Sequence, residues 1–250
     1  MRNLKQFETT AAYEAAESSL ILPNVSVCKD APTVVYYNPY VEPSHDYVEI
    51  GGIKWATMNI GASSITDNGL YFQWADTQGY TAAQCGSGEG QKYFGWADYK
   101  YGAGGSITDP ANITKYNSTD GKTVLDAEDD SATAAWGGNW KIPTTDDFQN
   151  LLDSTNNSFV YNYNNSGVNG RLFVSKNDNS IELFFPANGN CKEGSVNLVD
   201  SYGRYWANSL DTTYIPRAKR FAFGSRSNSV FVEEADERNV GFSIRAILDE

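Results

Sequence analysis

An α+β fold, with two short helices beside small antiparallel sheets, is what this sequence predicts, and three observations predict it. Aromatic residues supply 14% of the 250 positions and glycine occurs 22 times, a turn-rich, strand-rich balance that disordered chains lack. From Asn156 onward, short apolar runs are separated by Asn-Gly and Ser-Gly turns, the pattern of successive strands. Ahead of them, two segments combine helical spacing with capping residues.

Each element follows in order. Residues 1 to 45 read as a small separate unit. Phe7 to Ala16 predicts a helix with Thr9 or Thr10 as N-cap, Val25 to Val27 and Thr33 to Tyr37 predict two strands, and Pro39 and Pro43 mark a linker. So short a unit buries little by itself and is expected to pack on a partner or on the main domain. That domain begins at Tyr47 to Ala56, a hairpin turning on Gly51-Gly52. Residues 60 to 120 are loop-dominated. Helices are predicted over Ala127 to Ala135 and Thr145 to Leu152. In the second, Thr144 or Thr145 caps, Asp146 and Asp147 suit the positive end, and Phe148, Leu151 and Leu152 form the inner stripe. Strands follow at Arg171 to Val174 (after an Asn169-Gly170 turn), Ser180 to Phe185, Tyr205 to Ser209, Arg220 to Phe223, Ser229 to Val232 and Phe242 to Ile247.

Composition excludes several functions. A net charge of −12 and a pI near 4.5 oppose nucleic-acid binding, which needs concentrated Lys and Arg; the one basic stretch runs from Arg217 to Arg226. Cys28, Cys85 and Cys191 make an odd number at unrelated spacings. They read as isolated thiols, with a Cys85–Cys191 bridge as the alternative. His45, the only histidine, lies in the Pro43-Ser44-His45-Asp46 turn and reads as a solvated loop side chain. A zinc site would lack a second imidazole. There is no run of 18 apolar residues to span a membrane. Met1 to Glu8 lacks the apolar core of a secretory signal.

Function is read in the last third. Phe221, Phe223, Val230 and Val232 fit the inner face of two strands, which puts Ala222 and Phe231 on the outer face. An outward Phe between a basic edge (Lys219, Arg220) and an acidic one (Glu233, Glu234, Asp236) suits a binding surface, where aromatics and arginines supply most contact energy. The predicted ligand-binding patch comprises Lys192, Glu193, Tyr202, Arg204, Tyr214, Arg217, Lys219, Arg220, Ala222, Arg226, Phe231, Glu233, Ala235 and Glu237. Trp55, Trp74, Trp136, Trp140, Trp206 and Phe242 are expected to form the rigid scaffold beneath it. No catalytic residue, metal or cofactor is predicted.

Asp129-Asp130 and Asp146-Asp147 read as helix caps rather than acid/base pairs. Asn188, Asn190, Glu193 and Asp200 are oxygen-bearing residues in one region, but the Glu-Pro-Asn or Gln-Pro-Asp loop of sugar-binding lectins is absent, so calcium is not predicted. Gly86 to Gly90 is a flexible loop, not a phosphate cradle.

The run Ile53 to Ala62 resembles the "VKWATxNVGA" opening of the bacterial major paralogous (FISUMP) domains. So do Tyr71 to Thr77, Asp120 to Leu125, Glu128 to Ala134, Trp136 to Thr144, Tyr205-Trp206 and Gly241 to Arg245, in the same order over residues 47 to 248. The resemblance implies a C-type lectin-like fold of the formylglycine-generating-enzyme-like branch over residues 46 to 250, behind a small module at 1 to 45 for virion attachment or packing. The same scaffold carries the variable proteins of diversity-generating retroelements, which rewrite adenine-containing codons and occur in gut phages. This implies a non-catalytic, diversified receptor-binding or adhesion protein of a phage, variable over about residues 188 to 240. Its implied partner is a protein or glycan on a host cell surface, with a homo-oligomer, a trimer included, left open. Its implied location is the virion or a bacterial surface. Lys219, Glu233 and Glu234 depart from what adenine changes make of Asn codons. The alternative is a bacterial surface or structural domain with no diversified site. Oxidase activity of the formylglycine-generating kind would need a cysteine pair where Cys191 stands alone.

Overall fold

The computed structural model describes residues 5–7, 25–27, 35–37, 45–102, 112–225 and 229–249. The chain divides into two compact units, Met1–Ser44 and His45–Glu250. In the first, β1 (Lys5–Phe7), β2 (Val25–Val27) and β3 (Val35–Tyr37) form an antiparallel sheet in the order β1-β3-β2. Phe7, expected to open a helix, instead pairs with Val35 at the end of a strand: cross-strand pairing outweighs local helix propensity. The rest of the expected helix, 8–16, lies outside the described residues.

The second unit is mixed α and β, with two helices among the described residues beside small antiparallel sheets. It opens with β4 (Tyr47–Ile50) and β5 (Ile53–Ala56), paired in the register Ile50↔Ile53. Gly51 and Gly52 have φ of 63° and 76°, the left-handed pair of a two-residue hairpin turn that twists with its strands. β5 then pairs β15 (Ile247–Leu248), and β15 pairs β6 (Trp140–Lys141), so the last strand of this unit joins the sheet that its first hairpin opened. The expected closing strand from Phe242 is realised over 241–243 as single bridges to Phe72, Cys191 and Tyr205.

Helix α1 (Ser131–Trp136) follows a 3-10 turn at Ala127–Asp129, and α2 (Thr145–Asp153) begins after Thr144. Thr144 and Asp147 form a reciprocal capping box, and Phe148 and Leu151 are buried, which satisfies orphan amides at the helix start. Beyond α2, β7 (Thr155–Val160), β8 (Gly170–Ser175) and β9 (Glu182–Pro186) form one sheet. The expected Asn169-Gly170 turn does not exist. The chain reverses instead where Asn162, Asn164, Asn165 and Gly167 have positive φ. Gly170 lies inside β8 because a side chain there would strike the Phe185 carbonyl and the Phe184 ring. β10 (Asn190–Lys192) and β11 (Ser195–Asn197) form a small hairpin. The last sheet is β12 (Tyr202–Leu210), β13 (Arg217–Gly224) and β14 (Val230–Glu237), in that order and antiparallel.

β12 and β13 separate two hydrophobic clusters. Trp206, Leu210 and Ala218 join Trp74, Trp140 and Phe242 in one. Tyr205, Ala207, Phe221 and Phe223 join Trp55, Phe148 and Phe185 in the other. The period of two along a strand sends alternate side chains to opposite sides, so this sheet serves both cores. Among the described residues no helix is long and apolar enough to cross a membrane.

Candidate functional site

Strand register builds the candidate face. Across β12, β13 and β14 one row reads Arg204–Ala222–Phe231, and the next reads Trp206–Arg220–Glu234. A bulge between Arg220 and Ala222 in this pairing gives β14 one extra residue. Phe231, Glu234 and Asp236 therefore all lie opposite the β13 residues of the Arg220 side, in line with Ala222, Arg220 and Ala218.

Phe231 is 42% exposed although it sits near the start of an eight-residue strand. Ala222, expected to face outward, is buried at 3%. The face is the expected one, but longer neighbours, Arg204 on one strand and Phe231 on the other, close over a short side chain. Arg220, also expected outward, is 8% exposed. Its Nη2 lies 2.7 Å from Glu234 Oε2 and its Nε 3.3 Å from Asp236 Oδ2. It is thus neutralised within the sheet. Arg204 donates from Nη1 to Asn190 Oδ1 at 2.8 Å and lies over the Tyr202 ring at 5.7 Å. Burial, then the neighbouring Arg220, lowers the proton affinity of Arg204. Lys192 and Glu237 pair at 2.9 Å at the edge of the same region. Glu193 occupies the exposed tip of the β10–β11 hairpin with φ of 50°.

The remaining expected residues do not join this group. Arg217 and Lys219 share their side of β13 with Phe221 and Phe223, and pair across to Glu237 and Ala235. Lys219 Nζ donates to the Glu233 carbonyl at 3.2 Å. Arg217 lies 5.5 Å over the ring of exposed Tyr214 in the loop before β13. One patch was expected; the pleat divides it into an Arg204–Phe231 face and an Arg217–Lys219–Ala235 face. Arg226 lies outside the described residues.

No family model, curated protein or solved structure matches this chain.

The oxygen-bearing residues near this face have other work. Asn188 accepts from the Arg204 amide and donates to its carbonyl, and Asp200 accepts from the Asn169 amide. His45 is not a solvated loop residue: it stacks on Trp136 at 3.9 Å between ring centroids, an apolar contact that a neighbouring indole offers and a turn pattern does not reveal. Cys85 packs against the cluster of Tyr71, Phe94 and Cys191, and burial pushes up both thiols, the opposite of nucleophilic activation. Cys28 lies outside the described residues.

Three buried charge networks escape sequence reasoning. Asp130 caps α1, accepting from the Ala132 and Thr133 amides, as expected of the acidic pair. Asp129 does not cap. It is 1% exposed and accepts from Lys100, Lys115, Tyr101 and Tyr116. With Asp126 and Glu128 it forms an acidic trio, but Lys115 Nζ lies within 2.8 Å of all three carboxylates and occupies the centre a cation would take. Arg238, fully buried, donates to the carbonyls of Tyr116, Ile215 and Lys115 and to Tyr99. It lies 4.9 Å over Trp74. Arg245, equally buried, donates to Asn59, Ala56, Thr57 and Phe184. Its guanidinium proton affinity is pushed down to about 10 by burial. Only Arg245 carries a local signal, a charged residue between apolar Ile244 and Ala246; Asp129 and Arg238 sit among polar and charged neighbours.

Proposed function

We propose that residues 46–250 are a non-catalytic ligand-binding domain of C-type lectin-like fold and major paralogous type, and that its β12–β14 face contacts the ligand. The observation that carries this is Phe231, a large apolar side chain left exposed on β14 beside its bulge, one short alanine away from Arg204. A partner seated on this face would bury the ring, and aromatic and arginine side chains dominate binding energy in interfaces. The sheet lies between two buried clusters that hold its backbone, so outward side chains can change while the cores persist. On this reading the protein is a diversified receptor-binding or adhesion component of a phage particle, and its partner is a protein or glycan of the host cell surface.

A survey of sibling copies of the gene tests it. Substitutions concentrated at 204, 231 and the exposed positions of β10–β14, beside an adenine-rich near-repeat and a reverse transcriptase gene, are the expected result. Changes spread evenly over the surface would sink the diversified reading. One observation favours a second reading, a surface domain with no diversified site: Arg220 is locked to both Glu234 and Asp236, and such a triad does not vary one member at a time. Invariance at all three positions with free variation elsewhere on the face fits diversification around a fixed triad; invariance of the whole face fits the second reading.

A further inference from the structure

Among the described residues Arg204 makes no ion pair, although Asp236 and Glu234 act on it from a distance. Arg220 is held by Glu234 and Asp236, and Lys192 by Glu237. The partner of Arg204 is the neutral amide of Asn190, its Nε is buried without a hydrogen-bond partner among the described residues, and so is Nη1 of Arg220. Both guanidinium carbons lie 5.9 Å from the centroid of one ring, Phe242, and Arg220 acts on Arg204 as a neighbouring charge. Tyr202 flanks Arg204 on its own strand at 5.7 Å, and Phe231 stands across Ala222 in the same row.

A partly buried cation that has given up water without gaining a counter-ion is held at a cost. A planar carboxylate removes that cost through charge-assisted hydrogen bonds to the guanidinium fork, which a point-charge ammonium forms less specifically. The acids nearby choose among anions. With Glu234, Asp236 and Glu237 on β14, which adjoins the β13 strand of Arg220, and a net charge of −12, a densely charged phosphate or sulfate chain is repelled, whereas a single carboxylate is tolerated. The two rings add a requirement for a flat apolar surface close to the anion. A uronic acid combines both in one unit, because its carboxyl group is attached directly to the pyranose ring; an acidic peptide carries its carboxylate on a flexible stem.

We propose that Arg204, with Arg220 beside it, anchors the carboxylate of a uronic-acid residue while Tyr202 and Phe231 cover the sugar ring, so that the ligand of this face is an acidic glycan. The proposal rests on the binding-face reading above and names its ligand class. The test is calorimetric titration of the full chain with a glucuronic acid–glucose disaccharide, its carboxyl-reduced neutral form and a glutamate hexapeptide. The acidic disaccharide binds, the neutral form binds about ten-fold or more weaker, and Arg204→Gln lowers affinity for the acidic form alone to that of the neutral one, as loss of one charge-assisted pair requires. Arg204→Lys recovers only part of the loss, and Phe231→Ala weakens both sugars together. Unfolding midpoints of each variant are measured alongside, so that a folding defect is not read as lost binding. Equal binding of acidic and neutral sugars, indifference to Arg204→Gln in a folded variant, or binding of the hexapeptide alone overturns the proposal. Whole-cell adhesion separates the two levels. If adhesion is abolished by Phe231→Ala while the acidic disaccharide fails to bind, the face stands and the acidic glycan falls; if adhesion is also untouched, both fall.

Discussion

Asp129 shows how far one residue's behaviour departs from its sequence context. Burial alone would raise its carboxyl; the hydrogen bonds from Lys100, Lys115, Tyr101 and Tyr116 outweigh that and hold it well below the ordinary carboxylate range. A carboxyl whose folded value lies below its unfolded one contributes stability that is fully present above about pH 4 and is lost as pH falls through the folded value. Urea unfolding followed from pH 7 to pH 2 will therefore show little change from this group down to about pH 5 and a decline below about pH 4. Asp129→Asn will flatten that acid limb. At neutral pH the same variant will lose about 2–3 kcal/mol, because the hydrogen bonds of Lys100, Lys115, Tyr101 and Tyr116 lose their charged acceptor while Lys115 keeps Asp126 and Glu128. An unchanged acid limb in the variant would show that other carboxylates set the acid sensitivity.

At the scale of elements, caps and close approaches decide which local patterns survive. Thr144 accepts from the Asp147 amide while Asp147 accepts from the Thr144 amide and hydroxyl. Thr144→Ala will cost about 1 kcal/mol in denaturant unfolding, with Thr144→Ser restoring most of it. In β12, Gly203 has no need of unusual φ; its role is steric, since a side chain there would overlap the Phe223 ring opposite. Gly203→Ala will destabilise by about 1–3 kcal/mol through overpacking. Phe223→Leu in the same chain will recover part of that, by removing the ring edge. A fully additive double variant would refute the steric account.

For the second unit as a whole, the β12–β13 wall couples two cores into one folding unit. Neighbouring residues of the chain serve different clusters: Tyr205 and Trp206 on β12, and Ala246 and Ile247 at the entry to β15. Loss of either core therefore removes support from the other. Phe221→Ala, which empties a ring stacked 4.7 Å from Phe148, will lower stability by about 3–5 kcal/mol. Tryptophan fluorescence and far-ultraviolet circular dichroism of residues 45–250 will still report one coincident transition. Two separated transitions would mean that the cores unfold independently. The same wall explains the position of the candidate face, since Arg204 and Arg220 stack on Phe242 of the first cluster while the side of β13 behind them is filled by Phe221 and Phe223.

What the sequence determined by itself was local. The Gly51-Gly52 hairpin, the Thr144 cap, the inward Phe148 and Leu151, and the alternation through Phe221 and Phe223 all follow from periodicity and turn chemistry acting within a few residues. The exposure of Phe231 was legible for the same reason. What only the tertiary structure decided depended on which distant segments meet. Whether Ala222 is covered depends on Arg204 and Phe231 across two neighbouring strands, and whether Arg220 is free depends on a bulge that brings Glu234 and Asp236 to it. The division of the expected patch between two sides of β13 likewise needed strand pairing as well as strand identity. Arg238 and Arg245 are buried because carbonyls from remote segments surround them. A buried charge is permitted only by partners that satisfy it, and those partners lie more than a hundred residues away for Arg238 bonding Lys115 and Arg245 bonding Ala56, beyond the reach of any local pattern.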